Sequence, residues 1–235
     1  MNKDREEADN KLLAMSYLEL RRAVGVLGIA LPVILVVGAF FLDQEGILNS
    51  ISAYYYTSME GVFVGILFVT GAFLFSYKGH EPKDDYAGDL ACIFAIGIAL
   101  FPSTPEKKAI CSEAVSESTF AGKLHFVFAA LYFITLIYFC LFLFTKSNKP
   151  PDELNPEKRF RNAIYRVCGY TMAACIILIG LYFFVLKCKY SWLDNLKPVF
   201  WLETLAVWAF GFSWLIKGET LFRDKECKEE TAKSS

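Results

Sequence analysis

Leu124 to Thr145 reads LHFVFAALYFITLIYFCLFLFT and contains no Asp, Glu, Lys or Arg. A helix rising about 1.5 Å per residue needs roughly 20 apolar residues to cross a hydrocarbon layer about 30 Å thick, so this stretch can span a membrane alone. Five more stretches read the same way around it. Ala23–Leu42, Gly61–Tyr77 and Ala87–Pro102 precede it, and Ala163–Leu186 and Pro198–Ile216 follow. Between the fourth and fifth, Lys146–Asn162 sets Pro150, Pro151 and Pro156 among charges, which breaks a helix and marks a solvated loop.

The composition agrees. The 235 residues are 55% hydrophobic and 21% charged, with a mean hydropathy of +0.37, whereas soluble domains average about 45–50% apolar and about 25% charged. Lys and Arg number 24 against 25 Asp and Glu, with no dense basic face, so nucleic acid is not an expected partner. The expected fold is all-α: a polytopic six-transmembrane-helix bundle over residues 23–217. A polar segment, 1–22, precedes it and sets Leu12, Leu13, Leu18 and Leu20 among charges as an amphipathic surface helix; a charged tail, 218–235, follows it. The first apolar stretch is too long for a signal-peptide core and lacks a small-x-small cleavage site.

Basic residues near span ends are retained in the cytoplasm. With the N-terminus inside, 18 of the 24 Lys and Arg fall on inner segments and none lies between the first two spans, which predicts N-in, C-in topology. The protein is expected as a multi-pass protein of the cell (inner) membrane. Membrane lipid is its expected partner, with a homo-oligomer as the second.

Apolar lipid gives helices little hydrophobic reason to associate, so small residues that permit close approach are informative. Ala87, Ala91, Ala95 and Ala99 recur every four residues, with Gly88 and Gly97 nearby, and should face another helix. Gly61 and Gly65 repeat the spacing in the second span, and Pro32 predicts a kink in the first. Phe126, Phe128, Phe133, Phe139, Phe183 and Phe184 are expected to face lipid or fill gaps.

Seven cysteines contain no CxxC pair and only two histidines exist, so neither a metal site nor a cofactor is expected. Cys111 and Cys188 are the two cysteines expected outside. An oxidising outer space would let them form a disulfide, provided their Cα atoms lie within about 4.4–6.8 Å.

Ionisable groups at membrane depth are costly and tend to pair or line a cavity. Asp89 and Arg166 fall at matching inner depth and are expected as a structural ion pair. At the outer end Glu60 opens the second span, His125 the fourth, and Glu203 lies inside the sixth. The segment Asn49–Thr57 (NSISAYYYT) joins the first two spans. Ser52, Tyr54, Tyr55, Glu60, His125 and Glu203 are therefore expected to line an outward polar pocket with acyl-contacting walls. Interfacial residues satisfied by water are the alternative.

The stretch Ser50–Gly65 (SISAYYYTSMEGVFVG), the short third span ending Ala99-Leu100-Phe101-Pro102, and Lys123-Leu124-His125-Phe126 opening the fourth resemble a bacterial six-helix membrane-protein family of unknown function, similar in layout to DRAM/Sfk-like proteins. The resemblance implies a six-helix bundle with a serine-bearing first outer loop and no assigned reaction.

Three functions compete. The first is binding of a lipid or small amphiphile in the outer pocket. The second is an intramembrane hydrolase with Ser52 as nucleophile and His125 as base, although no nucleophile-elbow sequence accompanies them. The third is a channel, transporter or oligomeric membrane effector, for which neither similar halves nor paired broken helices are visible.

Overall fold

The computed structural model describes residues 2–77, 82–105, 120–147, 150 and 153–219, with side chains in the first helix described from Met15 onward. Among the described residues every regular element is helical. The long helices are α1 (Asn2–Asp43), α2 (Glu60–Phe75), α3 (Pro82–Leu100), α4 (Phe120–Tyr138), α5 (Pro156–Leu181) and α6 (Pro198–Lys217). A π-helical turn, Phe139–Leu143, extends α4 and another, Tyr182–Leu186, extends α5; 3-10 turns cover Ser52–Tyr56 and Ser191–Leu196.

Four of these segments are long and apolar enough to cross a membrane: Met15–Asp43, Phe120–Leu143, Pro156–Leu186 and Pro198–Lys217. Helix α2 is apolar but only 16 residues long, about 24 Å at 1.5 Å per residue. Helix α3 carries Lys83, Asp84, Asp85 and Asp89 in its first half. These two fall short of the other four on length or charge, not on helicity.

The expected polar segment 1–22 and first apolar span are parts of one helix of 42 residues, which also continues through Pro32. The reason is local. Lys11 to Val24 contains no Gly or Pro and holds four Leu, two Ala and two Arg, so nothing interrupts the helix where the sequence changes from polar to apolar.

Each long helix packs on its neighbours in the chain, and α6 returns to pack on α1, so the six close a ring. Glycines set the closest approaches. A Cβ on Gly25 would lie 2.8 Å from the Gly211 carbonyl oxygen, and one on Gly211 would lie 2.7 Å from that of Gly25. The α1–α6 crossing thus brings backbone against backbone, the close contact that small residues permit. Trp208 Nε1–H donates to the Ile29 carbonyl at 3.1 Å and Arg22 Nε–H to that of Gly218 at 2.9 Å across the same seam.

The alanine stripe behaves as expected. Ala87, Ala91, Ala95 and Ala99 are all buried, and α3 packs on α2. Gly71 faces Ala95 and the Cys92 carbonyl, and a Cβ on Gly88 would collide with the Leu74 carbonyl. Gly61 and Gly65 differ, because both are exposed and nothing lies near the place of a Cβ. Their spacing matches a packing motif, but α2 turns that face away from the bundle. Among the phenylalanines, Phe184 is 91% exposed whereas Phe139 is fully buried. Phe128 fills the space over Gly97.

Candidate functional site

At one end of the ring, the loop end, residues 44–59 fold over the helix tips and are fixed from three sides. From α6, the Glu203 carboxylate accepts the Ile51 N–H at 2.6 Å, with the Ser52 N–H also directed to it. The Phe200 N–H donates to the Asn49 carbonyl at 2.9 Å, and the Lys197 amine to that of Ile47. From the α3–α4 connection, Ser103 Oγ donates to the Ser52 carbonyl at 3.3 Å, while the Tyr56 hydroxyl donates to the Ser103 carbonyl. From α1, Asp43 accepts the Ser58 N–H at 3.0 Å and its hydroxyl at 2.5 Å.

Beneath this roof lies a cavity with about 670 Å³ of empty space, counted out to its open mouth. Its walls are Leu27, Gly28 and Leu31 from α1, a stretch of α2 from Phe63 to Thr70, Ile98 from α3, one face of α4, and Val207 and Phe210 from α6. Ser52, His125 and Glu203 line its loop-end portion from three separate elements.

His125 is 4% exposed, and its Nδ1 lies 2.8 Å from the Phe101 carbonyl oxygen. A carbonyl can only accept, so Nδ1 carries the proton in this contact. Phe101 directly follows α3, whose last carbonyls lack helical partners. The imidazole therefore satisfies a helix end while presenting a polar group to the cavity.

The six residues expected at the site divide evenly. Ser52, His125 and Glu203 line the cavity; Tyr54, Tyr55 and Glu60 do not. Tyr54 is fully buried inside the loop, where its hydroxyl accepts the Leu48 N–H at 3.3 Å. Tyr55 is half-buried beside Glu60, and Glu60 is exposed at the first turn of α2. Burial raises the phenol pKa of both tyrosines, and the Glu60 charge adds to the rise at Tyr55, so both stay protonated at neutral pH.

Two polar wall residues escape the sequence reading. Thr70 is 5% exposed and Tyr132 7% exposed, and both line the cavity. Tyr132 was legible: His125, Ala129, Tyr132 and Leu136 follow helical spacing along one face of α4, and all four line the cavity. Thr70 had no comparable signal.

No hydrogen bond joins Ser52 to His125 among the described residues. Ser52 Oγ instead lies 3.3 Å from Ser50 Oγ. No group of three or more potential ligands for a metal ion occurs among the described residues.

At the opposite end Asp89 and Arg166 form no ion pair among the described residues. Arg166 is exposed on α5, and one salt bridge at that end joins Lys146 to Asp84 at 2.5 Å. Asp84, five residues earlier in α3 and 2% exposed, meets Lys146 just beyond α4. Cys188 is exposed just beyond α5, whereas Cys111 lies outside the described residues, as does the tail from residue 220. No family model, curated protein or solved structure matches this chain, and nothing among them bears on the resemblance carried by residues 50–65.

Proposed function

We propose that the protein is a multi-pass protein of the cell (inner) membrane that holds a lipid or small amphiphile in the loop-end cavity. The observation that carries this reading is the division of the cavity wall. Three polar side chains gather at the loop end, and almost all the remaining wall is aliphatic or aromatic. A polar headgroup can exchange hydrogen bonds with Ser52 and His125 while its chain lies against Leu27, Leu31, Leu67 and Leu136. Glu203 acts indirectly, because its carboxylate already receives backbone N–H groups of the roof.

In this reading all six helices cross the membrane, with the loop end outward and both chain ends inward. Helices α2 and α3 cross as a tight pair whose charged start, Lys83 to Asp89, remains at the inner surface. The distribution of Lys and Arg supports the same orientation. The hydrolase alternative lacks the contact between nucleophile and base that activation of a hydroxyl requires.

The test is native mass spectrometry of the protein extracted from its membrane, with the retained small molecules identified. Ala129→Phe places a ring inside the cavity wall and is expected to abolish the retained species while the protein stays folded. Leu131→Phe, on an exposed face of α4, is the control and is expected to retain it. Equal retention in the native chain and in folded Ala129→Phe overturns the reading.

A further inference from the structure

The polar groups of the loop-end cavity divide unevenly into donors and acceptors. The roof donors at its wall are engaged: the Ile51 N–H donates to the Glu203 carboxylate at 2.6 Å, and the Ser52 N–H is directed to the same group. The Lys197 amine donates to the Ile47 carbonyl, and Ser52 Oγ lies 3.3 Å from Ser50 Oγ. His125 directs its Nδ1–H to the Phe101 carbonyl at 2.8 Å, with the Ile98 carbonyl also near the ring. A neutral imidazole has one N–H, so Nε2 is left as an acceptor.

The charge of the wall is as uneven. Among the described residues no Lys or Arg lines the cavity, and Glu203 is the only acid that does. The two other polar side chains of the wall are Thr70 and Tyr132, uncharged hydroxyls with no hydrogen-bond partner among the described residues. A phosphate or carboxylate head would enter beside a carboxylate, with no cation to balance it and no roof N–H left to hold it. An ammonium head could pair only with Glu203, whose charge two N–H groups already share. It also lacks a lone pair with which to accept from the wall hydroxyls. A hydroxyl head meets neither obstacle, because it donates to His125 Nε2 or a remaining Glu203 lone pair and accepts from Ser52 or Tyr132.

Resting on the amphiphile reading of this cavity, we propose that it selects a single-chain amphiphile with an uncharged, hydroxyl-bearing head, of the monoacylglycerol or long-chain alcohol class. Anionic and cationic amphiphiles with the same chain are rejected. The space, about 670 Å³ counted out to the mouth, falls in the range of a site for one drug-sized ligand, which suits a small head and one chain rather than two. The selection is made by what the wall lacks, a free donor and a cation, as much as by what it offers.

The experiment uses the full native chain in phosphatidylcholine nanodiscs. Three probes carry the same diazirine-bearing chain on a glycerol, a phosphate or an amine head, and their concentrations are expressed per bilayer lipid. After illumination, labelled peptides are mapped by mass spectrometry, with label around Phe184, 91% exposed, as the reference for general contact with lipid. The glycerol probe is expected to label wall peptides, those of Leu67 and Leu136 among them, at roughly tenfold or more lower concentration than either charged probe, the weight of stranding a buried charged group. Wall labelling by the phosphate or amine probe at an equal or lower concentration overturns the selection for an uncharged head and leaves the amphiphile reading standing. Label from all three confined to lipid-facing peptides overturns both.

Discussion

Glu203 shows how one side chain holds a roof in place. Its carboxylate accepts the Ile51 N–H at 2.6 Å and attracts that of Ser52, both at a position where the loop meets the cavity. Glu203→Leu should leave two enclosed N–H groups without an acceptor, at about 1–3 kcal/mol each, and lower the unfolding temperature of the purified protein. Glu203→Gln keeps an acceptor oxygen and should cost only about 1 kcal/mol. Equal losses for the two would show that the carboxylate does not hold the loop through these bonds. His125→Phe should likewise destabilise by about 1–3 kcal/mol by stranding the Phe101 carbonyl, as well as removing a polar wall group. The candidate site was half legible at this scale. Isolated polar residues expected at one depth, such as His125 and Glu203, do line one cavity. The three successive tyrosines did not, because a 3-10 turn of about three residues sends neighbours in directions roughly 120° apart. Tyr54 consequently enters the loop core, Tyr55 lies beside Glu60, and Tyr56 reaches the Ser103 carbonyl.

Between helices, the same residue type has opposite meanings at different positions. Gly211 and Gly25 meet backbone to backbone, so Gly211→Val forces α6 away from α1 and should destabilise by at least about 1–3 kcal/mol, the usual cost of overpacking. Gly61→Ala and Gly65→Ala meet nothing and should be neutral or gain up to about 1 kcal/mol of helix propensity. Chemical or thermal unfolding of the three variants checks this contrast; a destabilised Gly65→Ala would place a partner on that face of α2. Of the glycines read from the sequence, Gly88 and Gly97 meet other helices and Gly61 and Gly65 meet nothing within the chain, because a four-residue repeat marks a face of a helix without saying what covers it. The alanine stripe of α3 was legible for a further reason. Four small residues in succession give a continuous groove, and α2 fills it with a glycine of its own, Gly71.

For the whole molecule, each apolar stretch read from hydropathy lies on a long helix or its continuation, but α1 begins 21 residues and α5 seven residues before the apolar part, because a helix continues through polar residues that hydropathy does not mark. The ring was not legible, because which helix meets which depends on pairs such as Gly25 with Gly211, far apart in the chain. The proposed orientation is open to direct measurement. In a chain freed of native cysteines, Glu45→Cys should react with an impermeant maleimide on intact cells, and Glu153→Cys only after permeabilisation; both positions are exposed. The reverse pattern would invert the topology and turn the loop-end cavity inward. Closure of the ring by α6 also sets an order of events during synthesis. Of the six helices α6 leaves the ribosome last, and it brings the α1 seam together with the Phe200 and Glu203 anchors of the roof. A nascent chain halted after residue 190 thus has five helices but neither a closed barrel of side chains nor a fastened loop. Protease added to the outer side should cut such a chain within residues 44–59 and spare the finished protein there. The compartment comes into being in a single step, when α6 docks, and any guest must arrive after that step or be enclosed by it.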